Sequence, residues 1–496
     1  MIASPNFERR GLAPLKKVKM KMTKIQKLTT ALFCYVLQIL LAQTGARAHA
    51  QGSEPELPVK SDEKESEKPS FTQPPRALLA YELGLQATLI DQNLFRFRSK
   101  YQGTNSLKSR NENEKSDTYT LYLGLRLNPS FEFFINPEMA RGNGISEALG
   151  LAGFTNGDVI RNPTLGMDPY LGRYFVRITL PTGKKTDLEA INAGENQILG
   201  KRPKNRLVIS AGKLGASDIF DQSGYANSTR TQFMNWSLLN NGAYDYAADT
   251  RGYTQGVAVE WIHPKWSVRF GSFQMPTEAN GATLSIDFQH NRGDQIEVEL
   301  HPELFKKQSP LVVRLLAYRN LARMGDYRES LQLAQQNGAV PDITATRKRD
   351  RIKYGFGLNF EQPLGDSDGT ALFGRFGWDD GATESFAYTE IDRTMCLGLQ
   401  ISGKKWHRSE DRLSFAVVQN DLATVHKQYL ERGGQGFLLG DGALNYGSER
   451  IFESYYSYQL LQSLALAVDY QFIANPGYNR DRGPLSVLSA RVHLEF

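Results

Sequence analysis

Charged side chains recur at every second position of short segments through most of this chain. Glu82, Arg126, Arg173, Arg177, Arg269, Glu297, Arg375 and Arg491 all fall on the polar side of such segments, as do Glu299 and Glu361. A guanidinium offers several donors in a fixed plane and a carboxylate several acceptors, so arrays that mix the two match the hydroxyls of a polyol. Both signs with little net excess suit neutral solutes better than ions. The competing reading is that these pairs only brace a wall. A second set lies in the polar stretch 216–253, rich in Asp, Asn, Tyr and Trp. There Asp218, Arg230 and Trp236 are the candidates for a constriction, since an indole stacks on a sugar ring while ionic groups bond its hydroxyls. A surface or packing loop is the alternative.

Covalent chemistry asks for other constellations. Ser489 and His493 stand four residues apart on the polar side of the last segment, the only pair that suggests a hydrolase carried on a strand. His263, His290, His301, His407 and His426 are scattered, and no HExxH, GxSxG or P-loop pattern occurs. No His/Cys/carboxylate cluster has metal-ligand spacing, so neither cofactor nor metal is expected. Cys34 lies in the first 50 residues, which leaves Cys396 alone in the remainder, without a partner for a disulfide.

The elements that position these residues are strands. In Leu79–Leu89 the odd positions are apolar and the even ones small or polar; the same alternation runs through 118–127, 354–361, 395–402, 464–472 and 488–496. Side chains alternate faces along a strand, so each segment has one oily and one wet face. A secreted sandwich alternates too. Three features favour a membrane barrel: segments near 10 residues long, charges and glycines on successive wet faces, and aromatics such as Tyr81, Tyr119, Tyr354, Trp378, Tyr470 and Phe472 toward the ends of the oily ones. About seventeen such segments occur. An even count then predicts an all-β, transmembrane, antiparallel up-and-down β-barrel of 16 strands, with 18 possible. Residues 79–89 and 485–496 must pair to close it, because an open edge in lipid leaves backbone groups unbonded. Asn128-Pro129-Ser130, His263-Pro264-Lys265 and Gln462-Ser463 read as tight turns, whereas 216–253, 319–353 and 420–450 read as long loops, with a short helix over 326–337. On the oily face Val492→Arg is expected to be costly, and a charge at Ser489 on the wet face mild.

The first 50 residues differ in kind. They carry nine Lys/Arg against the single acid Glu8, then the apolar run Ala31–Ala42 and the small-residue site Ala48-His49-Ala50. This is the pattern of a secretory signal peptide over 1–50, with initiation at Met20 or Met22 as an option and an uncleaved anchor as the alternative. Its removal leaves 50 basic and 52 acidic residues, which excludes nucleic acid as a partner on charge grounds. Residues 51–78 are rich in Glu, Lys, Ser and Pro and read as a disordered polar linker ahead of a barrel over 79–496.

The chain resembles the carbohydrate-selective porins of the bacterial outer membrane, the OprB-like family. The likeness rests on Gly142–Ser146 with Gly150–Gly157, on Tyr170–Arg177, on Ala211–Leu214 with Asp218–Asp221, on Arg230–Trp236 with Asp245–Tyr253, on Gly293–Glu297 and on Asn475–Pro484. It covers roughly residues 84–496. It implies passive, selective diffusion of small sugars into the periplasm through a 16-stranded pore, monomeric or oligomeric, set in outer-membrane lipid. It also implies that the terminal Phe496 marks the chain for the barrel-assembly machinery. A general-diffusion or polysaccharide-export barrel, and a barrel hydrolase, are the competing functions.

Overall fold

In the computed structural model, residues 80–161, 165–303, 309–365, 369–387 and 389–496 are described. The expected signal peptide (1–50) and linker (51–78) lie outside them. Sixteen strands form one closed antiparallel barrel. In chain order they are β1 (Ala80–Leu94), β2 (Glu112–Asn128), β3 (Phe131–Arg141), β4 (Tyr170–Pro181), β7 (Arg206–Leu214), β8 (Thr254–His263), β9 (Trp266–Gln274), β10 (Arg292–Leu300), β11 (Val312–Met324), β12 (Lys348–Pro363), β13 (Ala371–Asp379), β14 (Arg393–Ser402), β15 (Arg412–Asp421), β16 (Glu449–Leu461), β17 (Leu464–Ala474) and β18 (Leu485–Glu495). Between β4 and β7, β5 (Leu188–Ile191) and β6 (Gly200–Pro203) form a separate two-stranded hairpin.

Closure follows the sequence expectation. β1 pairs with β18 from Gln86↔Glu495 to Leu94↔Val487. The Leu85 N–H donates to the Phe496 carbonyl at 3.1 Å and the Phe496 N–H donates back to Leu85 at 3.0 Å. No strand edge of the barrel is left to lipid.

Burial runs opposite to that of a water-soluble sandwich. Outward-facing Phe356, Met395 and Val468 are 54%, 59% and 59% exposed, whereas inward-facing Glu297, Glu453, Asp469 and Gln471 are fully buried. An apolar band of that extent facing water would be strongly unfavourable, and facing acyl chains it is the stable arrangement. Trp261 and Trp266 meet edge-to-face, and Tyr354, Phe356 and Trp378 cluster on β12 and β13, forming parts of an aromatic girdle.

The two rims differ. The turns after β2, β8 and β16 hold two residues each, as read from the sequence, whereas 142–169, 215–253 and 422–448 are long and share the opposite rim. Two expectations need correction. The loop read as 319–353 spans only 325–347, because β11 runs to Met324 and β12 starts at Lys348. Arg319 and Arg323 keep the outward parity of Leu315 but are exposed and polar, as a strand projecting past the oily band into water would be. The connection 182–205, which carries the hairpin, is long although it lies on the short-turn rim. The predicted helix is present as α1 (Tyr327–Asn337), with the Asp326 side chain accepting from the Glu329 N–H and left-handed Gly338 ending it.

The lumen is not simply filled with water. Loop 215–253 turns inward and supplies a core of its own, with Phe220, Met234 and Leu238 fully buried. Wall glycines make the room: a Cβ on Gly377 would come within 1.9 Å of the Asn241 side chain. Ser489, expected to tolerate charge, is 2% exposed and accepts from the Gln92 amide at 3.0 Å, beside the Thr155 carbonyl to which Gln92 also donates. A charge there would be buried rather than wetted.

Candidate functional site

The inward loop divides the lumen unequally. It is bound to the wall formed by β10, β12, β13, β16, β17 and β18, and it leaves a cavity of about 820 Å³ along β2, β3, β4, β7, β8 and β9. The cavity runs from Tyr170 and Arg251 at the long-loop rim to Arg206 and Ile262 at the short-turn rim. The open path is therefore eccentric, against one arc of the barrel.

Four of the candidate arginines line it at the waist and below. Arg173 of β4 grips Asp218 with two parallel bonds of 2.7 Å and reaches Glu195 of the hairpin at 2.7 Å, with the Tyr253 ring 5.1 Å away. It thus ties together the inward loop, which descends from one rim, and the hairpin, which rises from the other. Four residues further along the strand, Arg177 donates to the Asn196 carbonyl at 2.9 Å, lies over Phe134 at 4.8 Å and has Glu132 at 3.7 Å. Arg126 of β2 pairs with Glu132 at 2.7 Å and donates to the Ile198 and Leu199 carbonyls. Arg269 is held by Glu260, Glu297 and Glu299 at 3.0, 2.9 and 3.2 Å. From the loop, Arg230 binds Glu138 and Asp158 and donates to Thr120 and Gln86, so it bridges to β1, β2 and β3. Trp236 borders the cavity and stacks on Phe154 at 4.4 Å; Gly157 carries no side chain because a Cβ would lie 2.0 Å from the indole.

The remaining candidates face inward but do not border this cavity; Arg491 borders a second, smaller one of about 330 Å³ that shares Arg230, His493 and Glu495 with it. Arg375 binds the Asp221 carboxylate at 3.0 Å and the Leu238 carbonyl at 2.9 Å. Arg491 donates to the Thr229 and Gln232 carbonyls at 2.7 Å each. Glu297 accepts from the Asp221 N–H at 2.7 Å as well as from Arg269. These three are fixed to the inward loop, as buried polar groups must be partnered. Glu82 is half-buried near the short-turn rim, opposite Gly124. Ser489 and His493 form no dyad: the Ser489 oxygen accepts from Gln92, and the His493 Nδ1 lies 2.9 Å from Thr88 Oγ1.

The sequence reading passed over the acids that complete the array, Glu132, Glu138, Asp158 and Glu195, and the hairpin itself. Glu132 and Glu138 share the inward parity of β3 and carry a usable signal. Glu195 sits at a hairpin tip with no periodicity around it.

The array can bond hydroxyls through planar donors and acceptors, and it presents ring faces from Tyr170, Tyr253 and Trp236. It is mixed in sign and closely paired, a pattern suited to transient contacts with polar solutes rather than to covalent steps.

Comparison with known proteins agrees with this geometry. A family model described as the carbohydrate-selective porin, OprB family, matches residues 116–496. "Putative porin QuiX" of Acinetobacter baylyi is 22% identical over 311 residues, which are 59% of this chain and 66% of that protein, so the match spans just under two thirds of that relative. The high-pH structure of OprB from Pseudomonas putida superposes with a TM-score of 0.64 at 16% identity, covering 84% of this chain and 94% of that one, and so shares its fold. The barrel with its outward apolar band and the family model together make this an outer-membrane protein, and the chain belongs to the OprB family of carbohydrate-selective porins.

Proposed function

We propose that this chain is a passive diffusion porin for small sugars, which cross along the eccentric path past Arg173. The observation that supports this most directly is the waist itself. Arg173, Asp218, Glu195, Arg230 and Glu138 line one cavity with the rings of Tyr170 and Tyr253. Such a surface replaces the water around hydroxyls with fixed donors and acceptors, and every charge on it is compensated at short range. Arg126, Arg177, Arg269 and Trp236 extend the lining above and below. In this reading Arg375, Arg491 and Glu297 act through the loop that they hold, and Glu82 contributes to the short-turn rim.

Residues 1–50 act as the export signal, 51–78 as a linker and 79–496 as the barrel. Phe496, whose backbone already joins β1, serves as the assembly mark. Oligomers in the membrane are compatible with the uninterrupted oily exterior. The reading assigns the chain a channel's role and no chemical step.

Liposomes carrying the mature protein should swell in iso-osmotic glucose faster than protein-free liposomes, and the single-channel current should fall as sugar is added. A channel whose current ignores every sugar in a panel would favour a general-diffusion or export barrel, and turnover of lipid or glycan would favour a hydrolase.

A further inference from the structure

Ion pairing along the path is complete except at its two ends. Nine cationic side chains and eight acidic ones line the cavity. Seven of the cations have a carboxylate within 4.0 Å; among the described residues, Arg251 at the long-loop rim and Lys201 at the short-turn rim have none. Arg251 is the better placed of the two. Its guanidinium lies over the Tyr170 ring, 4.3 Å from the centroid, and its Nε is buried without a hydrogen-bond partner among the described residues.

The nearest acid does not neutralise it by contact. Asp249 accepts from the backbone N–H groups of Arg251 and Tyr253 at 2.9 and 3.1 Å and faces the Lys213 ammonium at 3.8 Å. The Asp249 carboxylate is thus occupied by two backbone N–H groups and the Lys213 ammonium rather than by the Arg251 guanidinium. The next acids inward, Glu138 and Asp158, are both held by Arg230. The rim therefore presents a guanidinium with open donors, backed by an aromatic plane and facing a path of compensated charges.

The geometry points to an anion-capture site at this rim: Arg251, stacked on Tyr170, binds the carboxylate of a sugar acid and feeds it into the path. This rests on the porin reading and narrows its substrate class from sugars in general to sugars bearing one negative charge. A planar guanidinium with free N–H groups matches a carboxylate in shape as well as sign. One arm rather than a closed clamp keeps the hold weak, and a conducted solute must also leave. Lys201 at the far rim gives the departing anion the same sign of field.

The test uses the mature protein in planar bilayers and liposomes, with potassium glucuronate and glucose as probes. Under a potassium glucuronate gradient, the zero-current potential should have the sign of preferred anion passage. Arg251→Gln should lower the glucuronate-to-glucose permeability ratio about threefold, the factor expected for losing one partly solvated charge contact. Arg251→Lys, which keeps the charge, should retain most of the ratio. A wild-type potential of cation-preferring sign, a ratio unmoved by Arg251→Gln, or an equal loss in Arg251→Lys would each overturn the site. A protein that passes neither glucose nor glucuronate would instead overturn the porin reading itself.

Discussion

Asp221 is the acid that holds the inward loop most firmly, and Asp221→Ala tests the whole arrangement of the lumen. The residue is 2% exposed, and its carboxylate accepts from three donors: the Arg375 Nε–H, forked to both oxygens at 3.0 and 3.2 Å, the Asn359 amide at 3.0 Å and the Asn241 N–H at 2.6 Å. Removing it strands the buried Arg375 guanidinium, a change that costs about 3–5 kcal/mol. The orphaned Asn241 N–H adds about 1–3 kcal/mol. The barrel ladder does not pass through Asp221, so the ring of strands has no reason to open. The strain falls on the loop, which relieves it by letting residues near 221 and 241 leave the β12–β13 wall. We expect Asp221→Ala to give larger and noisier single-channel conductance, weaker block by sugar, and a lower temperature for the heat-dependent mobility shift, with outer-membrane insertion retained. Asp221→Leu combined with Arg375→Met removes both charges and should recover much of the thermal loss. Wild-type conductance and stability in the single variant, or a double variant as unstable as the two single losses added, would refute the assignment of this pair as the loop's anchor.

Other predictions follow from the same geometry. Val468→Arg, in the middle of β17 on the oily face, should destabilise the folded barrel by about 2–4 kcal/mol in a lipid-refolding titration. Ser489→Asp should also be destabilising, because its site is packed against Gln92 rather than wetted. Replacing Leu188–Pro203 by a short turn should raise conductance and free Arg126 and Arg177 from the Ile198, Leu199 and Asn196 carbonyls, read as a shift of the zero-current potential toward anions. Glu390, in the loop after β13, accepts from the Leu438 and Leu439 N–H groups at 3.0 and 2.7 Å, and burial pushes its carboxyl up. The folded state then binds that proton more tightly than the unfolded state, so its contribution to stability declines as pH rises from the unfolded value through the folded one. Glu390→Gln keeps both acceptor contacts and should flatten that part of a stability-versus-pH curve.

The barrel was legible because a period of two cannot be satisfied by any other element. In β18 one residue of slip would put Arg491 and His493 into lipid, so pattern and register specify each other. The helix expected over 326–337 spans 327–337, because Asp326 serves as its cap and left-handed Gly338 ends it. What the pattern concealed was the fate of the wet face. Glu453 and Arg375 look the same in sequence whether they meet water or a folded-in loop. Only distant partners decide, such as the Met234 and Asn235 N–H groups for Glu453. The hairpin was concealed for a related reason: its strands hold four residues each, and it engages Arg126 and Arg177 through main-chain carbonyls, which every residue has.

The off-centre route has a consequence for how the gene can vary. Apart from Ala387, His493 and Glu495, the residues bordering it fall between positions 86 and 269. In the proposed reading the larger opening is thus lined almost entirely by the first half of the barrel, while much of the stretch from β10 to β17 holds the inserted loop in place. Under that reading, substitutions confined to one contiguous arc would be enough to change what the channel admits.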